Sequence, residues 1–215
     1  MKILELKHNF ETFSLDIKDM EFNRNKIIGL VGKNGAGKTT LMNCVSGNLK
    51  PNVKCELEDI QQEDILYIPS DLKAYEFLTV NEFLDLLIKY NETYITSKEL
   101  IEILKLKGKE NELICNLSQG MCKKISLAPI FIRSYRLLIL DEPFNSIDIN
   151  YIFELKKHLR NLVEICSIVI SSHILDTLSD LCDIFYVIDE GNVVKCIVND
   201  FNIENLEREI LNGNT

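Results

Sequence analysis

Glycine and proline are scarce in this sequence of 215 residues, which contains nine glycines, four prolines and no tryptophan. This scarcity argues against long linkers and low-complexity segments. An excess of positive charge is also absent: 24 lysines and arginines face 33 acidic residues, the net charge is −9, and no five like charges follow one another. A basic surface that binds nucleic acid is therefore not expected.

Long apolar runs are missing as well. No uncharged stretch approaches the roughly 18 residues that a membrane span needs, and the N-terminus "MKILELKHNF" lacks the apolar core of a signal peptide. Apolar residues still make up 46% of the chain, which is enough to bury a sizeable core. We expect a protein that neither spans a membrane nor carries a secretion signal.

Cysteine pairs with metal-ligand spacing are also absent. The seven cysteines include no C-x-x-C pair, and several stand in apolar runs such as "EICSIVIS" and "NCVSG". This pattern predicts buried, reduced thiols rather than a disulfide framework or a zinc site.

What the sequence does contain is a succession of short apolar strands and helical segments. "KILELKH" and "TFSLDIKDMEF" alternate as antiparallel strands do, whereas "KIIGLVG", "RLLILDEP" and "CSIVISS" are typical of buried strands. The segments between the buried strands have helical periodicity. We predict an α/β fold over residues 1–215: a mostly parallel sheet, an N-terminal antiparallel β subdomain, and a small helical subdomain inserted at about residues 72–134.

The most specific motif is "GLVGKNGAGKTT", residues 29–40, which contains the phosphate-loop pattern G-x-x-x-x-G-K-[ST] between a predicted strand and a predicted helix. Its glycines let the backbone approach a phosphate chain, and the amides and the helix dipole attract anions. Lys38 would contact the β- and γ-phosphates, and Thr39 would bind Mg²⁺. The loop thus predicts a nucleoside triphosphate site formed by Gly32, Lys33, Asn34, Gly35, Ala36, Gly37, Lys38, Thr39 and Thr40.

An acidic pair follows a second buried strand, in "LLILDEP". Asp141 stands at the carboxyl end of that strand, where open α/β sheets bind ligands, and we predict that it holds Mg²⁺. Glu142 is adjacent and is the candidate general base for an attacking water. With the glycine loop, the pair predicts an NTPase or a kinase with ATP and Mg²⁺ as its ligands.

Three further motifs resemble those of ATP-binding cassette (ABC) proteins. "LSQGM", residues 117–121, is similar to the signature motif L-S-G-G-Q, and its Ser118 precedes Asp141 by the family's 23 residues. "NSID", residues 145–148, stands where the family has its D-loop. His173, in "VISSH", matches the switch histidine. The resemblance covers about residues 3–195.

The resemblance implies a mechanism. Ser118 and Gly120 of one molecule would face the γ-phosphate held on Lys38 of a second cassette, so that two ATP molecules close a head-to-tail dimer. His173 would contact the γ-phosphate and orient both the water and Glu142. The family role would be that of an ATP-hydrolysing transporter subunit, held at the inner face of the cell membrane by a separate permease. Its partner cassette would be a second copy or a related chain.

Some positions depart from the family pattern. Ser70 stands where the family has the Q-loop glutamine that reaches Mg²⁺, so the resemblance implies that Ser70 belongs to the metal site. Because serine is shorter than glutamine, it would contact the ion through a bridging water, and we expect slowed hydrolysis or altered coupling. Pro129 falls within the predicted signature helix and should kink or end it. For the aromatic residue that stacks on adenine, Phe10 is the candidate and Phe13 the alternative.

Two other functional classes stay open: a soluble ABC-type ATPase, and a regulatory ATP-binding module uncoupled from transport. Soluble family members carry two cassettes or a long coiled-coil insertion, and this sequence has neither. A regulatory module that does not hydrolyse ATP is disfavoured by the presence of Lys38, Glu142 and His173. The serine at position 70 keeps this class open.

Overall fold

The computed structural model describes residues 1–71, 75–91 and 93–211. The predicted helical subdomain at about 72–134 therefore begins on residues outside this description. The chain divides into two compact units, Met1–Tyr67 with Tyr135–Glu142 and Lys156–Thr215, and Ile68–Ser134 with Pro143–Leu155.

The first unit begins with a three-stranded antiparallel sheet in the order β2–β1–β4. Its strands are β1 (Lys2–Asn9), β2 (Ser14–Glu21) and β4 (Lys54–Glu58). β1 and β2 alternate between buried and exposed residues, as their sequence pattern predicts. The sequence pattern did not reveal β4, because four of its five residues are exposed.

The main sheet has six strands in the order β5–β6–β7–β3–β8–β9. They are β3 (Ile27–Val31), β5 (Ile65–Ile68), β6 (Leu137–Leu140), β7 (Ser167–Ser171), β8 (Ile184–Asp189) and β9 (Asn192–Val198). β3, β6, β7 and β8 pair in parallel, and β9 pairs antiparallel with β8. β3, β6 and β7 are buried at every residue, as expected for central parallel strands. The predicted α/β architecture with an N-terminal antiparallel sheet is confirmed.

Seven helices are described. They are α1 (Lys38–Val45), α2 (Val80–Asn91), α3 (Ser97–Ile103), α4 (Gln119–Ser126), α5 (Ile149–Leu162), α6 (Asp176–Ser179) and α7 (Ile203–Leu211). α4 ends at Ser126, and a 3-10 helix over Ala128–Phe131 follows it, with Pro129 in its first turn. Pro129 therefore ends the signature helix, as predicted. Among the described residues, no helix combines the length and apolarity needed to cross a bilayer.

Each unit has its own apolar core. In the first, the core joins the antiparallel sheet, α1 and the parallel strands, through residues such as Leu15, Leu41 and Ile139. In the second, α2, α3 and α4 pack together around residues such as Leu84, Leu100 and Ile125.

All seven cysteines are free, but only three are buried, so the prediction of buried thiols is wrong for Cys55, Cys115 and Cys196, which are exposed.

Candidate functional site

The glycine loop connects β3 to α1 in the first unit. Three of its glycines have positive φ: 156° at Gly32, 83° at Gly35 and 109° at Gly37. A Cβ at Gly32 would lie 2.2 Å from the carbonyl oxygen of Ile188, and one at Gly37 would lie 2.9 Å from the Phe13 ring. The loop thus depends on glycine for both its backbone conformation and its packing. It leads into the first turn of α1, whose amides have no partner within the helix and are suited to bind an anion.

Lys38 is buried at the start of α1, with 7% of its surface exposed. Its ammonium donates hydrogen bonds to the carbonyls of Gly32 at 2.7 Å and Lys33 at 3.0 Å. Burial lowers the pKa of Lys38, while the charges of Glu142 and Asp141 act in the opposite direction. The ammonium therefore lies against the loop that would hold phosphates.

Asp141 connects the glycine-loop helix to β7. Its Oδ2 accepts a hydrogen bond from the Thr39 hydroxyl at 2.8 Å, and its Oδ1 accepts one from the Ser171 hydroxyl at 2.5 Å. The Asp141 residue is 2% exposed and Ser171 is fully buried. The structure thus brings together two of the three predicted metal ligands, Thr39 and Asp141, which are 102 residues apart in sequence.

Glu142 and His173 also meet. Oε2 of Glu142 lies 3.0 Å from Nδ1 of His173. An ionised carboxylate only accepts hydrogen bonds, so this contact places a proton on Nδ1 and leaves Nε2 for another partner. Glu142 has a positive φ of 49°, an unfavourable conformation for a residue with a Cβ, and its amide donates to the Ser171 hydroxyl at 2.9 Å.

The donor set is suited to magnesium. The Thr39 hydroxyl and the Asp141 carboxylate are hard oxygen donors, and magnesium sites typically combine one or two protein oxygens with water and phosphate. Over the described residues, no cluster of three or more His, Cys, Asp or Glu side chains offers a fully protein-built metal site. The residues present therefore fit a magnesium ion that shares its ligands with a nucleotide.

Two cavities adjoin the glycine loop. One, of about 820 Å³, is lined by Lys33, Asn34, Gly35 and Ala36 together with Phe13 and Asp16. The other, of about 430 Å³, is lined by Gly32, Asn34, His173 and Ile210.

The described lining of the larger cavity includes Phe13 but not Phe10. Phe10 instead packs edge-on against His8, with ring centroids 4.5 Å apart. This arrangement favours Phe13 over Phe10 as the aromatic residue beside a bound base.

The remaining predicted loop residue, Thr40, lies half-buried in the first turn of α1.

In the second unit, Ser118 is the N-cap of α4. Its hydroxyl accepts a hydrogen bond from the amide of Met121 at 3.4 Å. Gly120 lies against the loop that contains "NSID", since a Cβ there would lie 2.4 Å from the carbonyl oxygen of Ser146. Lys124 forms an ion pair with Asp148 at 2.6 Å, which fastens α4 to the same loop. The signature and D-loop motifs are thus in contact within this unit.

Ser70 also belongs to the second unit. Its carbonyl and that of Pro69 each lie 3.3 Å from Nζ of Lys123, a buried lysine of α4 that donates to both. The predicted role of the Ser70 side chain towards a metal stays a prediction.

Sequence reasoning missed Ser171 and Lys123. Ser171 contacts both acidic residues, but it lies 29 or more residues from them, and a serine at the end of an apolar strand carries no signal of that contact. Its position two residues before His173 was the only available clue. Lys123 was hidden because a lysine in an amphipathic helix is expected to face solvent.

Comparison with known proteins identifies the family of the chain. The family model "ABC transporter" matches residues 15–145, more than half of the chain. The uncharacterized ABC transporter ATP-binding protein YthP of Bacillus subtilis (strain 168) is 30% identical over 183 residues, which cover 81% of this chain and 75% of YthP. The chain spans between 61% and 75% of the first three Bacillus subtilis relatives that it matches.

Solved structures share the fold. An ATP-binding subunit of an ABC transporter superposes with a TM-score of 0.80 at 22% identity, covering 98% of each chain. A dimeric post-hydrolysis state of the cassette MJ0796, bound to ADP and Pi, superposes with a TM-score of 0.75 at 16% identity, covering 92% of this chain and 97% of that one. The phosphate loop, the acidic pair and these matches together show that the chain belongs to the ABC transporter family and is one of its ATP-binding cassette ATPases.

Proposed function

We propose that this cassette hydrolyses ATP to drive transport by a separate membrane permease. The observation that carries the proposal is the cluster in the first unit, where Ser171 holds Asp141 beside Thr39 and holds Glu142 beside His173. Such a cluster supplies a metal-ligand pair and an oriented base at one edge of the sheet.

The chemistry follows from these contacts. The glycine-loop amides bind the phosphates of ATP, and Lys38 exchanges the carbonyls of Gly32 and Lys33 for phosphate oxygens. Thr39 and Asp141 would hold magnesium, which neutralises charge on the phosphates when bound. Glu142 accepts a proton from the attacking water, and His173 fixes the carboxylate through Nδ1.

The signature motif acts on a second cassette in this proposal. Ser118 and Gly120 would face the γ-phosphate bound by the partner, with the amides of the first turn of α4 adding to the attraction. The MJ0796 cassette, which is dimeric with ADP and Pi, has the same fold and supports this arrangement. The partner is either a second copy or a related chain.

The permease is the second proposed partner. YthP is described as an ABC transporter ATP-binding protein, which supports a transport role here. By this proposal the cassette lies at the inner face of the cell membrane, attached through the permease, and binds no nucleic acid.

A Glu142→Gln variant tests the proposal. Removing the base should abolish hydrolysis but preserve ATP binding, so light scattering should detect a dimer with ATP and magnesium and a monomer without them. Ser118→Arg in the Glu142→Gln background should prevent the dimer. Retained turnover in Glu142→Gln, or a variant that stays monomeric at saturating ATP, contradicts the mechanism.

Co-purification of the tagged wild type with a hydrophobic subunit tests the transport role, and recovery only from the soluble fraction contradicts it.

A further inference from the structure

Two cysteines flank the signature motif on either side. Cys115 lies in a 3-10 helix over Ile114–Asn116, two residues before Leu117, and its side chain is exposed. Cys122 directly follows Met121 in α4 and is partly buried. The intervening segment 116–121 contains the whole motif.

The Cys122 thiol lies close to the backbone that leads into Cys115. Sγ of Cys122 donates to the carbonyl oxygen of Ile114 at 3.4 Å and lies 3.7 Å from that of Leu117. A carbonyl oxygen lies about 2.8 Å from the next Cα across a trans peptide, so Sγ of Cys122 is within about 6.2 Å of the Cys115 Cα. The exposed Cys115 thiol contacts Oδ1 of Asn116 at 3.7 Å, and rotation about χ1 would release it from that contact. Formation of the disulfide would bring the two residues into the range of about 4.4–6.8 Å between Cα atoms that this bond requires.

We infer that Cys115 and Cys122 form a thiol-oxidation site that reacts with low-molecular-weight disulfides and closes a covalent bond across the signature motif. None of the other cysteines is placed at a functional loop in this way. Cys44 and Cys55 line one cavity of about 440 Å³ near the end of α1, but Cys44 is buried there, and burial raises its pKa to about 11.

The reaction balances in two exchange steps. The Cys115 thiolate attacks a small disulfide, R–S–S–R, and releases one thiolate, RS⁻, leaving a mixed disulfide on Cys115. The Cys122 thiolate then attacks the Cys115 sulfur and releases the second RS⁻. Two protein thiols lose two electrons and two protons, and one disulfide becomes two thiols.

The order of attack follows from exposure. Cys115 is accessible to a solute, whereas Cys122 is partly covered by the turn that precedes the motif. Burial raises the pKa of the Cys122 thiol, so the ring-closing step should accelerate as the pH rises from 7 towards 9.

The bond would act on the signature motif itself. Cys122 would exchange its contacts with the Ile114 and Leu117 carbonyls for a bond to Cys115, which draws the first turn of α4 towards the 3-10 helix. The amide and hydroxyl that Ser118 presents would be displaced. This consequence rests on the proposed function, because it matters only if the motif faces a nucleotide on a partner.

The direct test detects the bond in the full chain. Purified protein is incubated with oxidised glutathione, digested with trypsin without reduction, and analysed by mass spectrometry. Cleavage after Lys109 and Lys123 places both cysteines in one peptide, 110–123. Glutathione disulfide is the chosen probe because a peroxide would also oxidise Met121 in that peptide. We expect the peptide lighter by two hydrogens, returning to its reduced mass with dithiothreitol.

Variants assign the chemistry. Cys115→Ser should leave peptide 110–123 unglutathionylated and unbridged, and Cys122→Ser should stop at the glutathione adduct on Cys115. Cys55→Ser, which removes another exposed thiol, should form the bridge like the wild type. If the wild-type peptide stays fully reduced, or carries only glutathione adducts at pH 9, the inference is wrong whatever the ATPase measurements show.

The functional test compares ATP turnover before and after oxidation. We expect the bridged wild type to lose about tenfold or more, with recovery on reduction, and Cys115→Ser to lose none. A bridged protein with unchanged turnover refutes the regulatory consequence while leaving the bond established. Failure of the proposed function itself would appear separately, as unchanged turnover in reduced Glu142→Gln.

Discussion

The hydroxyl of Ser171 donates to Oδ1 of Asp141 across 2.5 Å, from the end of β7 to the end of β6. The hydroxyl oxygen of Ser171 also accepts a hydrogen bond from the amide of Glu142 at 2.9 Å. One buried side chain therefore fixes both the acid that contacts Thr39 and the acid that contacts His173. The geometry of the candidate site depends on this serine as much as on the acidic residues.

Replacing Ser171 with alanine should reduce ATP turnover by about ten- to a hundredfold, because a small displacement of the base or the metal ligand is costly to catalysis. Ser167→Ala is the matched control. Ser167 lies on the same strand, is equally buried, and donates to the carbonyl of Asn23, away from the site. Both variants should lose about 1–3 kcal/mol of stability, but only the first should lose turnover. Similar turnover in the two would show that Ser171 has only a structural role.

Phe13 should contribute to nucleotide affinity through its ring. Phe13→Leu keeps an apolar side chain beside Gly37 but removes stacking, so the Kd for ATP should rise about fivefold or more. Phe13→Tyr should bind like the wild type. Phe10→Leu serves as the control and should bind within about twofold of the wild type. Isothermal titration calorimetry measures the Kd of each variant for ATP. A larger loss of affinity in Phe10→Leu than in Phe13→Leu would identify Phe10 as the stacking residue.

Ser70→Gln should raise ATP turnover by about tenfold, since glutamine has the length and the amide needed to position the metal and the attacking water. The substitution should not disturb the contact with Lys123, which uses the backbone carbonyl of Ser70. Ser134→Gln, an exposed change in the same unit, is the control. Steady-state phosphate release measures both, and equal turnover in wild type and Ser70→Gln would remove Ser70 as the cause of slow hydrolysis.

Gly120 should tolerate no side chain, because a Cβ would lie 2.4 Å from the carbonyl oxygen of Ser146. Gly120→Ala should therefore displace the D-loop and reduce turnover by about tenfold or more. Gly108→Ala is the control, because it should reduce stability by a similar amount without a steric clash. Gly108 has a φ of 85°, which is unfavourable for alanine, but a Cβ there would meet no atom within 4 Å. Thermal melts should show both variants destabilised by about 1–2 kcal/mol. Wild-type turnover in Gly120→Ala would refute the packing argument.

Stability should fall as the pH drops through the range in which His158 titrates. Burial lowers the pKa of His158 from its ordinary value of 6.5, so the unfolded chain binds a proton that the folded chain resists. The stabilisation is present above pH 6.5 and is lost as the pH falls below it. Urea denaturation between pH 7.5 and 5 should show a steeper decline for the wild type than for His158→Leu. Parallel curves would contradict this assignment.

The sequence predicted the parts of the site that stand in local motifs. Gly32 to Thr39 form one continuous motif of fixed spacing, and Asp141 and Glu142 follow four apolar residues of the kind that form a buried strand. The parallel sheet followed from the same reasoning, because β3, β6 and β7 are short, predominantly apolar runs that are typical of buried strands.

Contacts between distant residues were not predictable in this way. A bridging hydroxyl such as Ser171 depends on the register between β6 and β7, which no short pattern encodes. The choice between Phe10 and Phe13 depends on the turn that joins β1 to β2, where Phe10 donates its amide to the Phe13 carbonyl at 2.7 Å. β4 has mostly exposed residues, so its sequence lacks the alternation that is typical of a strand. Its strand conformation depends on its pairing with β1.

The buried ammonium of Lys123 joins the signature helix to the segment around Ser70, so that the two are expected to move together. Hydrogen bonds from a charged donor contribute about 1.5–3 kcal/mol each, and Lys123 makes one to each of two adjacent carbonyls. A rotation of α4 that left the Pro69–Ser70 segment behind would break both at once. A displacement of that segment would therefore also move the helix that Ser118 caps. Because the connection is made by backbone carbonyls, it does not depend on which side chain stands at position 70.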